Sequence, residues 1–202
     1  MRSCNPRRMS DDRTDAALEG SMIACPGCGA ALPASDWPVD GRTNASPGCL
    51  ERRARVMEFE AEHIVELGRL HQLTIDAYGA QHGGSSVPAI AVPFGLVGLH
   101  LALDLDWRGD EVRAAHQFLA QAASRTRGSH STPAWPTFRR PTDVDWLTIA
   151  DVAGARSTKD HAQRVDRWAR SVWLAWAPER DRVVAWADAK LSAEVRARIR
   201  GR

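Results

Sequence analysis

Lysine is almost missing from this 202-residue chain. Lys159 and Lys190 are the only two, and 27 basic residues stand against 25 acidic ones for a net charge of +2. The arginines are dispersed among the acids, and no helical stretch carries a one-sided basic face. That leaves no strong signal for nucleic acid and no pull toward anionic lipid. An uninterrupted apolar run is missing too. The longest, Val87 to Leu103, holds Pro88, Pro93 and His100 and is too short to span a bilayer comfortably. The first twenty residues carry Arg2, Arg7, Arg8, Asp11, Asp12 and Arg13 without an apolar core, so residues 1 to 20 are expected to be a disordered leader and not a signal peptide. No strand-period segment exceeds four residues, and no internal repeat occurs. Cysteine is scarce, four in all. The cysteines are few and in chelating spacing, which argues against a disulfide framework and for a reducing, cytoplasmic setting.

What is present is concentrated in three of those cysteines. Cys25-Pro26-Gly27-Cys28-Gly29 is followed by Ser46-Pro47-Gly48-Cys49. Two thiolates two residues apart chelate one ion, and the glycines let backbone N–H groups approach the sulfurs. Structural Zn²⁺ sites are tetrahedral and usually Cys₄ or Cys₃His. The sequence therefore predicts a zinc knuckle in the segment 25–49 that needs one more ligand. A redox CxxC fits less well, because Pro33 interrupts any helix opening after Cys28. An iron–sulfur cluster lacks a fourth cysteine unless Cys4, in the leader, contributes.

Ser46-Pro47 is a helix start, with Ser46 as N-cap and Pro47 at the first helical position. A helical pattern follows through Leu50, Met57, Ile64, Leu67, Leu70, Leu73 and Ile75 to about Gly79. Such a run is long for one globular helix, and Gly68 marks a break near Glu66 to Gly68. The break matters for the fourth ligand, for which His63, His71 and His82 are the candidates. One straight helix would carry His82 roughly 50 Å from Cys49. A hairpin would return His82 to the level of Cys49, leave His71 mid-helix and put His63 at the far end. His82 is thus preferred, on condition of the break. Further helices are expected from Val92 to about Asp104, after an Asp110 cap, from Ile149 to about Ala153 behind Thr148, behind Thr158 with a Val165, Trp168, Val172 and Trp176 stripe, and from Pro178 to the end. Gly128 to Pro141 is a proline-rich loop. The fold class is mostly α: a single helical bundle domain over residues 21–198 with an N-terminal zinc-knuckle loop.

Several pieces together resemble an uncharacterised, largely actinobacterial family that carries a domain-of-unknown-function label. They are Cys25 to Ala30, Ala45 to Cys49, the run His71 to His82 with its Asp76-Ala77-Tyr78 and Gln81-His82, then His100-Leu101, Thr148 to Val152, His161, and Trp168 to Trp176. The resemblance covers roughly Cys25 to Asp188. It implies a helical protein and brings no activity with it. The chain departs from the pattern at Gly83, where a proline is customary, and in the tail after Trp176, which lacks the histidines usual there.

Two functional expectations follow. In the first, zinc is structural and the chain is a small binding or interaction module for a protein or a small molecule, since four protein ligands leave no vertex for substrate. In the second, a metal-dependent or acid–base enzyme site lies in the bundle core around Asp76, His100 and His161, with His71 able to join. A histidine in a segment as apolar as that around His100 needs partners for its nitrogens, and Asp76 and His161 are expected beside it. Zinc-dependent DNA binding is a weaker third, because the Trp168 and Trp176 stripe has the spacing of core.

Overall fold

The Ser46 side chain accepts the Cys49 N–H, and Pro47 opens helix α1 (Pro47–Glu62) where its missing N–H costs nothing. The computed structural model describes residues 21–39, 43–84, 88–125 and 135–201. The expected leader, Cys4, the Asp40-Gly41 pair and positions 128–134 of the proline-rich loop lie outside these. Among the described residues the architecture is eight α-helices with one short β-hairpin, mostly α as expected.

The break after α1 falls at His63, not at Glu66 to Gly68. His63 has φ −114° and ψ 39°, its backbone N–H and its Nδ1 both turn back to the Phe59 carbonyl, and α2 (Ile64–Gln81) starts at the next residue. Gly68 stays inside α2. Its propensity cost of about 1 kcal/mol is too small to stop a helix that tertiary contacts hold in register. The corner leaves Ile64 exposed, although the sequence pattern placed it on the apolar stripe. Contacts between Glu60 and both His71 and Thr74 show that α2 runs back along α1.

Helix α2 is the axis of the bundle. It packs against α1, against α3 (Ala91–Leu103), against α4 (Gly109–Arg125) and against α6 (Thr158–Ala175). The α2–α3 crossing is close because α3 supplies glycines. A Cβ at Gly95 would lie 2.6 Å from the Ala80 nitrogen and the Asp76 oxygen, and one at Gly98 would overlap the Asp76 carboxyl. Gly98→Ala is therefore expected to cost about 1–3 kcal/mol by overpacking, read as a lower urea midpoint. An unchanged midpoint would show that the two helices can separate freely.

The remaining elements follow their local signals with small corrections. Thr148 forms a capping box with Asp151 on α5 (Ile149–Val152). Ser157, not Thr158, caps α6, and Asp110 sits within the first turn of α4 instead of before it. Val165, Trp168, Val172 and Trp176 are all core. The stretch from Pro178 is three pieces, not one helix: a 3₁₀ turn at Ala177–Glu179, α7 (Arg180–Lys190), and α8 (Ala193–Arg200) restarted by a Ser192 cap. Among the described residues no helix is long and apolar enough to cross a membrane. The expected irregular loop at the amino end contains order: β1 (Met22–Ala24) and β2 (Ala31–Pro33) pair antiparallel, with Ala24 opposite Ala31.

Candidate metal centre

The two strands present the Cys25 to Cys28 turn. Cys25 N–H donates to the Ala30 carbonyl at 2.9 Å, and Gly29 N–H donates to the Cys25 carbonyl at 2.8 Å. Gly29 closes the turn at φ +83°, a conformation that side chains resist. Cys49 joins from the first turn of α1. His82 joins from the residue after α2, delivered there by the hairpin. All four residues are buried, and one ligand atom from each lies within 4.8 Å of the others.

The separations fit a tetrahedral ion. Metal bonds of about 2.3 Å to sulfur and about 2.0 Å to nitrogen set S–S edges of about 3.8 Å and S–N edges of about 3.6 Å. Cys28 Sγ lies 3.9 Å from Cys49 Sγ. His82 Nε2 lies 3.6 Å from Cys25 Sγ and 3.3 Å from Cys49 Sγ. His82 Nδ1 donates to the Tyr78 carbonyl at 2.8 Å, which fixes the tautomer and turns the Nε2 lone pair toward the sulfurs. Charge makes the same demand. Hydrogen bonds from Cys28 and Cys49 hold the Cys25 thiol far below its ordinary value. Donating to Cys25 pushes Cys28 up to about 11, and Cys49 rises for the same reason, with burial adding to both. Three thiolates packed this closely repel one another, and a cation among them would relieve that repulsion. The donor set can hold a metal ion.

Supporting groups lock the ligands. Trp146 Nε1 donates to the Cys28 carbonyl at 2.8 Å. Arg140 donates to the Pro26 carbonyl at 3.1 Å and also to the Gly27 carbonyl. Asn44 Nδ2 donates to the Gly83 carbonyl at 2.6 Å. The Tyr78 ring stacks on His82 at 3.7 Å and 13°, and its hydroxyl lies 3.6 Å from Cys49 Sγ. Burial raises the Tyr78 pKa, so the hydroxyl keeps its proton and can donate it to a thiolate. A Cβ at Gly27 would overlap the Asn44 carbonyl and the His82 ring. Sequence reasoning passed over Tyr78, Asn44, Arg140 and Trp146. Tyr78 carried a usable signal, since it stands four residues before His82 on one helix face.

The second expected cluster does not exist. Asp76, His100 and His161 each find a separate partner. His161 Nε2 donates to Glu60 Oε1 at 2.9 Å, while His71 Nδ1 donates to Glu60 Oε2 at 2.8 Å and Thr74 donates to Oε1 at 2.5 Å. His100 Nδ1 donates to Asp104 Oδ2 at 2.9 Å, one turn on, and Trp173 Nε1 donates to Asp104 Oδ1 at 3.0 Å. Asp76 Oδ1 accepts from Gln72 Nε2 at 3.0 Å and lies 3.8 Å from His116 Nδ1. The physical reason is reach: a carboxylate four residues along, or on the adjoining helix, satisfies each imidazole more directly than a three-way meeting would.

The Asp76–His116 pair carries a pH signature. Burial pushes the Asp76 carboxyl well above its ordinary 3.8, and burial holds His116 down to about 4 from 6.5. Above pH 3.8 the unfolded chain releases a proton that native Asp76 keeps, so this group lowers stability as pH rises. Between pH 6.5 and about 4 the unfolded chain binds a proton that native His116 refuses, so that group lowers stability as pH falls. Asp76→Asn is expected to flatten the decline on the alkaline side and leave the acid side intact. Thermal midpoints from about pH 4 to 8 test this, and equal alkaline slopes in both proteins would refute it.

Residues 23–177 match the model of a family described as a family of unknown function (DUF5946). No curated protein and no solved structure matches the chain.

Proposed function

The chain belongs to this family of unknown function, and we propose that within it Cys25, Cys28, Cys49 and His82 hold one structural Zn²⁺. The observation that carries this is a buried Cys₃His set whose edges suit a tetrahedron and whose four vertices are all protein. Three thiolates and an imidazole suit zinc better than the harder divalent ions. Such a site fastens the β-hairpin to the start of α1 and the end of α2.

With the vertices filled, zinc has no position for substrate, and Glu60 with His71 and His161, and His100 with Asp104, are paired among themselves. Both features support a binding or interaction module over a catalyst, and the few cysteines, in chelating spacing, suit a reducing, cytoplasmic setting. The test is metal analysis of protein purified without chelator, joined to Co²⁺ replacement. One metal per chain and the visible bands of tetrahedral cobalt–thiolate are expected. Full occupancy in a Cys25→Ser/Cys28→Ser double variant, or two metals per chain, would sink the assignment. Deleting residues 1 to 20 should leave the metal content unchanged, because the ligand set is complete between residues 25 and 82. Loss of metal on that deletion would bring Cys4 into the site.

A further inference from the structure

A cleft of about 600 Å³ opens beside the knuckle. That volume is in the range of small-molecule sites. Its walls are Val92 and Pro93 from the first turn of α3 and Trp135 and Phe138 from the segment before α5, with Trp176 and Arg140 also in the lining. The aromatic wall is held in place: Trp135 meets Phe94 edge-on at 5.0 Å and lies 5.9 Å from Trp186, and Arg182 covers Phe138 at 5.5 Å.

Two polar features break the apolar lining. Trp176 is 1% exposed, and its indole Nε1 is a buried donor without a partner. Buried donors are nearly always satisfied, so this orphan, on a residue that lines the cleft, asks for an acceptor. Arg140 is the second. Its fork donates to two neutral carbonyls of the knuckle, and among the described residues no carboxylate pairs with it. A half-buried guanidinium without a counter-charge favours an anion, and a carboxylate most of all.

We infer that this cleft binds a small monocarboxylate with an apolar body, whose carboxylate is received by Arg140 and the Trp176 indole N–H while the body lies against Trp135 and Phe138. This gives the binding-module reading a ligand class and rests on that reading, but it does not depend on which metal fills the knuckle. The probes are 4-phenylbutyrate and its neutral amide, titrated into metal-loaded full-length protein while the indole N–H signals are followed by NMR. Trp176→Phe identifies the Trp176 signal by its disappearance.

The carboxylate is expected to shift the Trp176 signal saturably, and the amide to bind about tenfold more weakly for want of the charge. Trp176→Phe should weaken carboxylate binding by a factor of about ten, the loss of one buried hydrogen bond. Val92→Trp, which fills the cleft, should abolish binding; Val92 packs against Gly83, next to His82, so its metal content is measured alongside. No saturable shift at millimolar probe, equal affinity for the amide, or undiminished binding to folded Val92→Trp would each overturn the inference. Metal content, measured on every sample, separates the two proposals: a failed cleft leaves the zinc in place, and a failed zinc assignment leaves the probe bound.

Discussion

Cys25→Ser is expected to strip the metal and lower the thermal midpoint by about 10 °C or more. Structural zinc is worth about 10–16 kcal/mol in small fingers, whereas a whole domain is stable by only about 5–15 kcal/mol. Most of the buried apolar core lies on helices outside the knuckle, so only part of that energy is expected to be lost. A loss of about 4 kcal/mol corresponds to the stated shift in a chain of this size. A chelator should reproduce the shift in the native protein and do nothing further to Cys25→Ser. If the variant keeps both metal and midpoint, Cys25 is not a ligand. If it loses metal without loss of stability, the site is not structural.

Glu60→Ala should be comparably severe without touching the metal. Glu60 is fully buried, and its two oxygens take three donors from two other helices. Alanine leaves the His161 N–H and the Thr74 hydroxyl buried without an acceptor, at a cost of about 3–5 kcal/mol for a broken buried network. Glu60→Gln keeps the shape but aims an amide N–H₂ at an imidazole N–H, so an intermediate loss is expected. A cycle with His161→Ala isolates the pair, and a coupling energy near zero would show that the contact is incidental. Metal content should be unchanged in all of these proteins.

The knuckle was legible because Cys25, Cys28 and Cys49 have chelating spacing, and chelation depends on local geometry. His82 was legible only through an argument about helix length. That argument survives although its hinge was misplaced from His63 to Gly68, since either corner returns the chain to Cys49. The position of the corner was not legible: it rests on a His63 side chain capping its own turn and on Glu60 engaging α2, and neither leaves a mark in propensity. Glu60 stands between Glu58 and Glu62, and nothing local marks it as the buried one. His100, Asp76 and His161 were rightly seen as histidines and a carboxylate needing partners, and all three are buried. Which partner each takes depends on helix rotation and crossing, which apolar periodicity leaves open. The β-hairpin escaped notice because its strands are three residues each, below the length at which alternation is visible.

Cys25 and His82 are 57 positions apart in the chain, and an ion joining them would enclose a loop holding β2 and the whole α1–α2 pair. Such a metal would act as a covalent-like staple whose benefit falls largely on the unfolded chain, where closing a loop of this length removes entropy worth about 4 kcal/mol. His82 reaches the sulfurs by way of the corner at His63, so a bound metal would couple the clasp at the amino end to the pairing of α1 with α2. Without metal the amino-terminal clasp would open at a lower free energy than the bundle, and a protease would reach it before the core.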